Sequence, residues 1–159
     1  MEISSPENET DALVELWVDL ADGQRDHGSH LLAADNEARI RQSIVHREIE
    51  DGLRVARVDG DLVGFVMFTL EHSQFEQDVV RGVIENLYVR PRYRSDGLGS
   101  ALLAAAESSL DDRGADVLAV EAMADNDGAR RFYAAAGYEP HRVEYEKPLG
   151  TDAAPTGDE

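Results

Sequence analysis

Leu13, Leu16, Trp17 and Leu20 recur at three- and four-residue intervals, which predicts an amphipathic helix from about Asp11 to Ala21 behind a short Glu2-Ile3-Ser4 strand. The polar, glycine-containing stretch from Asp22 to Leu32 reads as a loop. Asp35 or Asn36 then caps a second helix carrying Ile40, Ile44, Val45 and Ile49. From Leu53 the pattern changes. Leu53 to Val58 and Leu62 to Leu70 read as strands joined across Asp59-Gly60-Asp61, whose Asp-Gly pair favours a tight hairpin. Gly82 to Val89 follows as another strand, and Gly97 to about Asp112 as a helix ending at Gly114. Val117 to Ala122 reads as a strand, Asn126 or Asp127 opens a helix that stops at Gly137, and the remainder through Leu149 reads as one or two strands. This order predicts an α/β fold with a mixed central sheet, antiparallel in its first half and β-α-β-α-β in its second, and helices on both faces. Residues 1–149 form one domain in this reading. Residues 150–159 lack apolar periodicity and read as a disordered acidic tail.

At 159 residues the chain can bury roughly 68–70% of the surface its unfolded form exposes. The longest apolar run, Leu62 to Leu70, is too short to span a bilayer, and the start Met1-Glu2-Ile3 lacks the basic region of a secretory signal; a cytoplasmic protein without membrane contact is expected. Net charge is −18, and fourteen of the fifteen bases are arginine, Lys147 being the exception. Such an acid excess with 42% hydrophobic residues in periodic blocks reads as a folded protein adapted to a salt-rich cytoplasm, where screening removes the self-repulsion. It also argues against nucleic acid as a partner. The charge is uneven: residues 81–95 carry one acid and four bases, whereas both flanking segments are strongly acidic.

That basic island adjoins the most informative segment, Leu87-Tyr88-Val89-Arg90-Pro91-Arg92-Tyr93-Arg94-Ser95-Asp96-Gly97-Leu98-Gly99-Ser100. A buried strand runs through an Arg-x-x-Gly-x-Gly turn into an apolar helix, whose first amides have no intrahelical acceptor and whose dipole favours an anion. A Walker loop would need Lys after its last glycine, and a dinucleotide fingerprint a glycine where Leu102 stands. With a downstream block, Asn126-x-x-Ala129-x-x-x-Tyr133-x-x-x-Gly137-Tyr138, the segment resembles the GNAT superfamily of acetyl-coenzyme A dependent N-acetyltransferases over roughly residues 50–147.

The resemblance implies acetyl-coenzyme A as cosubstrate, no metal, and an acceptor amine on a small molecule, peptide or protein. With no cysteine for an acetyl-cysteine intermediate, transfer would be direct or use another nucleophile, and the resemblance implies the direct route. Carried over, Leu87, Tyr88 and Val89 offer main-chain groups to the pantetheine arm and acetyl carbonyl. Arg94, Ser95, Asp96, Gly97, Leu98, Gly99 and Ser100 surround the pyrophosphate, and Asn126 adds a polar contact or caps its helix. Tyr133 is the candidate acid that protonates the departing thiolate, the alternative being an aromatic packed on Phe132 or Tyr138. Glu85 is the candidate base; strand alternation predicts that it shares a face with Leu87, and its alternative is an ion pair, for instance with Arg81. The family commonly has glycine and a basic residue where this chain has Ser95 and Asp96. An acyl-coenzyme A binding module without catalysis remains the competing reading. A homodimer is consistent with the resemblance, but no sequence feature fixes an interface. His27 and His30 lack a third ligand for a metal and read as polar residues of an acceptor-side loop.

Overall fold

The computed structural model describes residues 1–150. Five strands, β1 (Glu2–Ser4), β2 (Leu53–Val58), β3 (Asp61–Leu70), β4 (Arg81–Val89) and β5 (Val117–Val120), form one sheet in sequence order. The first four are antiparallel and β4–β5 is parallel. Helices α1 (Thr10–Arg25) and α2 (Glu37–Ile49) cover one face, α3 (Leu98–Asp112) the other, and α4 (Asp127–Ala135) follows β5. The α/β expectation with helices on both faces holds.

β3 explains why the sheet needs two covers: Val63 to Phe68 are all buried, with Phe65 and Met67 on the α1/α2 side and Val66 and Phe68 on the α3 side. Leu13, Leu16, Ile40 and Ile44 complete the first core; Leu102, Ala106 and Leu110 complete the second. Burying each of these side chains other than Ala106 contributes roughly 1.5–3 kcal/mol. The β2–β3 hairpin turns on Asp59 and Gly60 at φ 53° and 84°, the paired positive values a two-residue turn requires.

Three expectations change. The helix-2 periodicity buries Ile40 and Ile44 but leaves Val45 and Ile49 41% and 78% exposed, because the apolar stripe is wider than the face that α1 and the sheet cover. Asn36 precedes α2 without a side-chain cap and instead donates to the Leu32 carbonyl at 2.9 Å. The C-terminal strands are not formed: residues 139–149 pair with no strand and are exposed throughout. The proposed tail lies, beyond Gly150, outside the described residues.

Candidate functional site

β4 and β5 pair only from Arg81↔Val117 to Ile84↔Val120. Beyond Ile84, β4 stays bonded to β3 but has no neighbour on its other edge, so alternate main-chain groups between Asn86 and Val89 face an opening. Within this segment the register to β3 slips. Met67 lies opposite Asn86 and Phe68 opposite Ile84, leaving Glu85 as the extra residue of a β-bulge.

The bulge overturns the alternation expected for Glu85 and Leu87. Leu87 packs into the α3-side core, whereas Glu85 reaches α2 on the other face. There Arg47 Nε donates to its Oε1 at 2.6 Å and Arg47 Nη2 to its Oε2 at 2.8 Å, a two-pronged ion pair. The Glu85 hydrogen bond, opposed in part by burial, raises the Arg47 pKa further above its usual value. Arg81, the partner suggested by sequence, instead lies 3.1 Å from Glu71.

At the end of β4, Pro91–Tyr93 form one tight turn, Arg94 is extended, and the backbone then takes positive φ at Ser95 (73°) and Gly97 (83°) before α3 begins. None of the amides from Ser95 to Ser100 donates to an acceptor among the described residues; the first bonded amide is that of Ala101, to the Gly97 carbonyl at 3.0 Å. Six consecutive free donors at a helix start make this turn a candidate anion cradle. Leu98 contributes only its amide, since its side chain is 3% exposed in the core. Arg94 Nε donates to the Val89 carbonyl at 2.8 Å with the guanidinium 5.4 Å over the Tyr88 ring, so its terminal nitrogens stay available. Arg92 and Arg94 have no carboxylate partner among the described residues, while Arg90 sits 3.8 and 3.9 Å from Asp19 and Glu15. Asp96 is exposed within the cradle.

α4 closes on this turn. A Cβ at Gly99 would meet the Phe132 ring at 3.6 Å, which makes Phe132 a wall of the cradle that sequence reasoning assigned only to packing. Phe132 in turn stacks edge-on with Tyr133 at 5.2 Å, and Tyr133 with Tyr138 at 5.8 Å. Burial pushes the Tyr133 pKa up to about 12, and its hydroxyl makes no hydrogen bond among the described residues. Tyr138, by contrast, donates to Glu107 at 2.7 Å. Asn126 Oδ1 accepts from the Ala129 amide at 3.1 Å, so this residue caps α4 and keeps its amide nitrogen and a second lone pair on Oδ1 for another partner. The structure thus brings the β4 end, the turn and α4 together. Arg47 and Asn86 join Glu85 without having been singled out beforehand; consecutive polar residues inside an apolar strand were the available signal for the bulge.

His27 and His30 do not share a ligand. His27 Nδ1 is 3.0 Å from Asp125, and His30 Nε2 is 2.9 Å from Glu146. No group of three or more metal-ligating side chains occurs among the described residues, and no described helix is long and apolar enough to cross a membrane.

A profile of the Acetyltransferase (GNAT) family matches residues 10–138. An uncharacterized N-acetyltransferase of Archaeoglobus fulgidus is 40% identical over 86 residues, which is 54% of this chain and 58% of that protein. The aminoglycoside N(6')-acetyltransferase type 1 of Stenotrophomonas maltophilia is 33% identical over 90 residues, 55% of this chain and 59% of that protein. The matched stretches therefore span under two thirds of these relatives' lengths. Among solved structures, an aminoglycoside N-acetyltransferase in complex with CoA superposes with a TM-score of 0.70 at 18% identity, covering 92% of this chain and 93% of that one; this likeness shows the fold alone.

Proposed function

This chain belongs to the acetyltransferase (GNAT) family, and we propose that it is a cytoplasmic N-acetyltransferase moving an acetyl group directly from acetyl-coenzyme A to a primary amine. The row of acceptor-free amides from Ser95 to Ser100, beside an arginine with free terminal nitrogens, carries the reading. Its donor chemistry fits a pyrophosphate, and the open edge of β4 fits an extended amide-bearing arm.

Acetyl-coenzyme A would supply a thioester, whose acyl carbon accepts the amine and whose thiolate departs. The chain's own groups do the rest. Leu87, Tyr88 and Val89 present main-chain groups along the opening, and the cradle from Arg94 to Ser100 fixes the phosphate end, with the Asn126 amide nitrogen and the Phe132 ring alongside. Tyr133, protonated at every physiological pH because burial raises its pKa, donates to the leaving sulfur. Glu85 takes up the proton that the ammonium form of an acceptor must lose, directly or through water. Each of its oxygens keeps a lone pair beyond the one Arg47 engages.

The acidic surface favours a cationic acceptor, and the Stenotrophomonas relative acts on aminoglycosides. The same surface marks adaptation to high salt. Two observations favour a second reading, an acyl-coenzyme A binding module without turnover: Arg47 occupies both Glu85 oxygens, and Asp96 places a negative charge in the cradle.

Calorimetric titration of acetyl-coenzyme A in molar potassium chloride, with an Arg94→Ala, Gly99→Glu variant beside the wild type, tests the site. Micromolar binding abolished in the folded variant is expected, strengthening with salt as the Asp96 penalty is screened. Absence of binding to the folded wild type refutes the site. Binding without acetyl transfer to any member of a broad amine panel selects the second reading.

A further inference from the structure

Glu50 is a carboxylate at the unfavourable end of a helix. It is the C-cap residue of α2, where the unpaired carbonyls of the last turn already gather negative charge. Two side chains of that turn hold it there: His46 Nε2 lies 3.0 Å from Glu50 Oε2, and Arg47 Nη1 donates to Glu50 Oε1 at 3.3 Å. The same Arg47 grips Glu85, so one guanidinium serves two carboxylates.

The guanidinium is divided between them without overlap. Glu85 takes Nε and Nη2, and Glu50 takes Nη1, the one nitrogen that leaves over. Side-chain exposure is 20% at Arg47 and 26% at Glu85, then climbs to 39% at Glu50 and 61% at His46. The pairing at Glu85 is thus half-buried, where solvent screens it less than at the outer end of the row.

The backbone of Arg47 is fixed separately. The Gly52 amide donates to the Arg47 carbonyl at 2.7 Å, and the Gly52 carbonyl accepts from the Phe68 amide at 2.9 Å, at the point where β3 changes register opposite Glu85. A Cβ on Gly52 would collide with the Phe68 carbonyl oxygen and press on Arg47 Cδ at 3.4 Å, so glycine is what lets the end of α2 lie against the bulge. Between this anchor and the guanidinium runs a flexible stem. Glu50 restrains the far end of that stem through the nitrogen that Glu85 does not use.

We propose that Glu50 is a positioning residue of the acid–base site: by holding Arg47 Nη1 it fixes the plane of the guanidinium, and through it the direction in which Glu85 presents its free lone pairs to the acceptor. The proposal rests on the reading of Glu85 as the base.

Side-chain NMR of nitrogen-labelled protein in molar potassium chloride, with kinetics on spermidine as acceptor, tests it. Glu50→Ala removes the acceptor, and Glu48→Ala makes the same charge change at a position with no contact to Arg47 among the described residues. Glu50→Ala is expected to speed solvent exchange of the Arg47 Nε–H by about tenfold and to lower kcat by about threefold or more, with the KM for acetyl-coenzyme A unchanged. Its circular dichroism melt should not move, because loss of the pair and relief of the helix-end charge oppose each other at similar size. In the Arg47→Gln background Glu50→Ala should have no further effect on kcat. Exchange in Glu50→Ala equal to that in wild type and Glu48→Ala overturns the proposal, since Glu85 alone then holds the guanidinium. A full loss of kcat on adding Glu50→Ala to Arg47→Gln overturns it too, because Glu50 then acts by another route. Absence of transfer by the wild type bears on the acetyl-transfer reading alone, as the exchange rates decide the grip on Arg47 in the free protein.

Discussion

Replacing Ser95 by glycine should stabilise this protein, and replacing Gly97 by alanine should destabilise it by a similar amount. Both residues sit in the left-handed region, at φ 73° and 83°. Ser95 is exposed and makes no hydrogen bond among the described residues that would compensate. An L-residue held there loses about 1–2 kcal/mol to the clash of its Cβ with the following carbonyl. Against this, glycine loses about 0.4–1 kcal/mol more than a substituted residue through the freedom of its unfolded chain. The net for Ser95→Gly is therefore roughly 0.5–1 kcal/mol in favour of the fold, or about 1–4 °C in Tm for a domain of this size. At Gly97 the sign reverses. A Cβ added there would meet no atom within 4 Å, so the dihedral penalty acts alone and no steric clash contaminates the comparison. Guanidinium unfolding of the three proteins at fixed high salt, monitored by circular dichroism, measures both differences. If both variants shift the midpoint in the same direction, or Ser95→Gly lowers it, the turn does not hold this backbone conformation in solution and the alignment of its six free amides loses its basis.

Glu85→Gln should depress turnover chiefly below the acceptor's own pKa, while Arg47→Gln, which removes both hydrogen bonds that orient the Glu85 carboxylate, should lower kcat/KM by about tenfold; kinetics identical to wild type in both variants remove the pair from the reaction. Tyr133→Phe should lower kcat by about a hundredfold or more with little change in KM, as expected for loss of a proton donor; a change confined to KM would assign the ring to packing. Because burial raises the Tyr133 pKa from 10.0 to about 12, its contribution to stability is complete below pH 10 and disappears as pH rises through 12. Absorbance titration of the five tyrosines, with Tyr138 also raised, should therefore show two that ionise late and together with alkaline unfolding.

The parts of this molecule that were readable from sequence are those in which one local rule decides the outcome. Asp59-Gly60 specifies a turn by its dihedral tolerance, and both residues do take positive φ. The turn before α3 is readable for a related reason: Gly97 takes positive φ and the helix starts directly after it, so glycine spacing and the helix start are sufficient to place it. Helix ends at Gly114 and Gly137 follow the same logic, each with φ near 97°. The segment 139–149 shows where such rules stop. Its alternation specifies a strand, but a strand exists only against an edge, and its own chain holds it elsewhere through Tyr138 and Glu146.

Glu85 shows the second limit. Ile84, Leu87 and Val89 are all on the α3 side, which no uninterrupted period of two can achieve, and the bulge at Glu85 and Asn86 reconciles them. A one-residue slip flips every later side chain, so the face of Glu85, and with it the encounter with Arg47 thirty-eight positions earlier, depends on a register that only β3 supplies. The side-chain half of the site is therefore set by tertiary structure and the main-chain half by local sequence. Substitutions at Met67 and Phe68, remote from the turn before α3, should consequently disturb Glu85 before they disturb that turn.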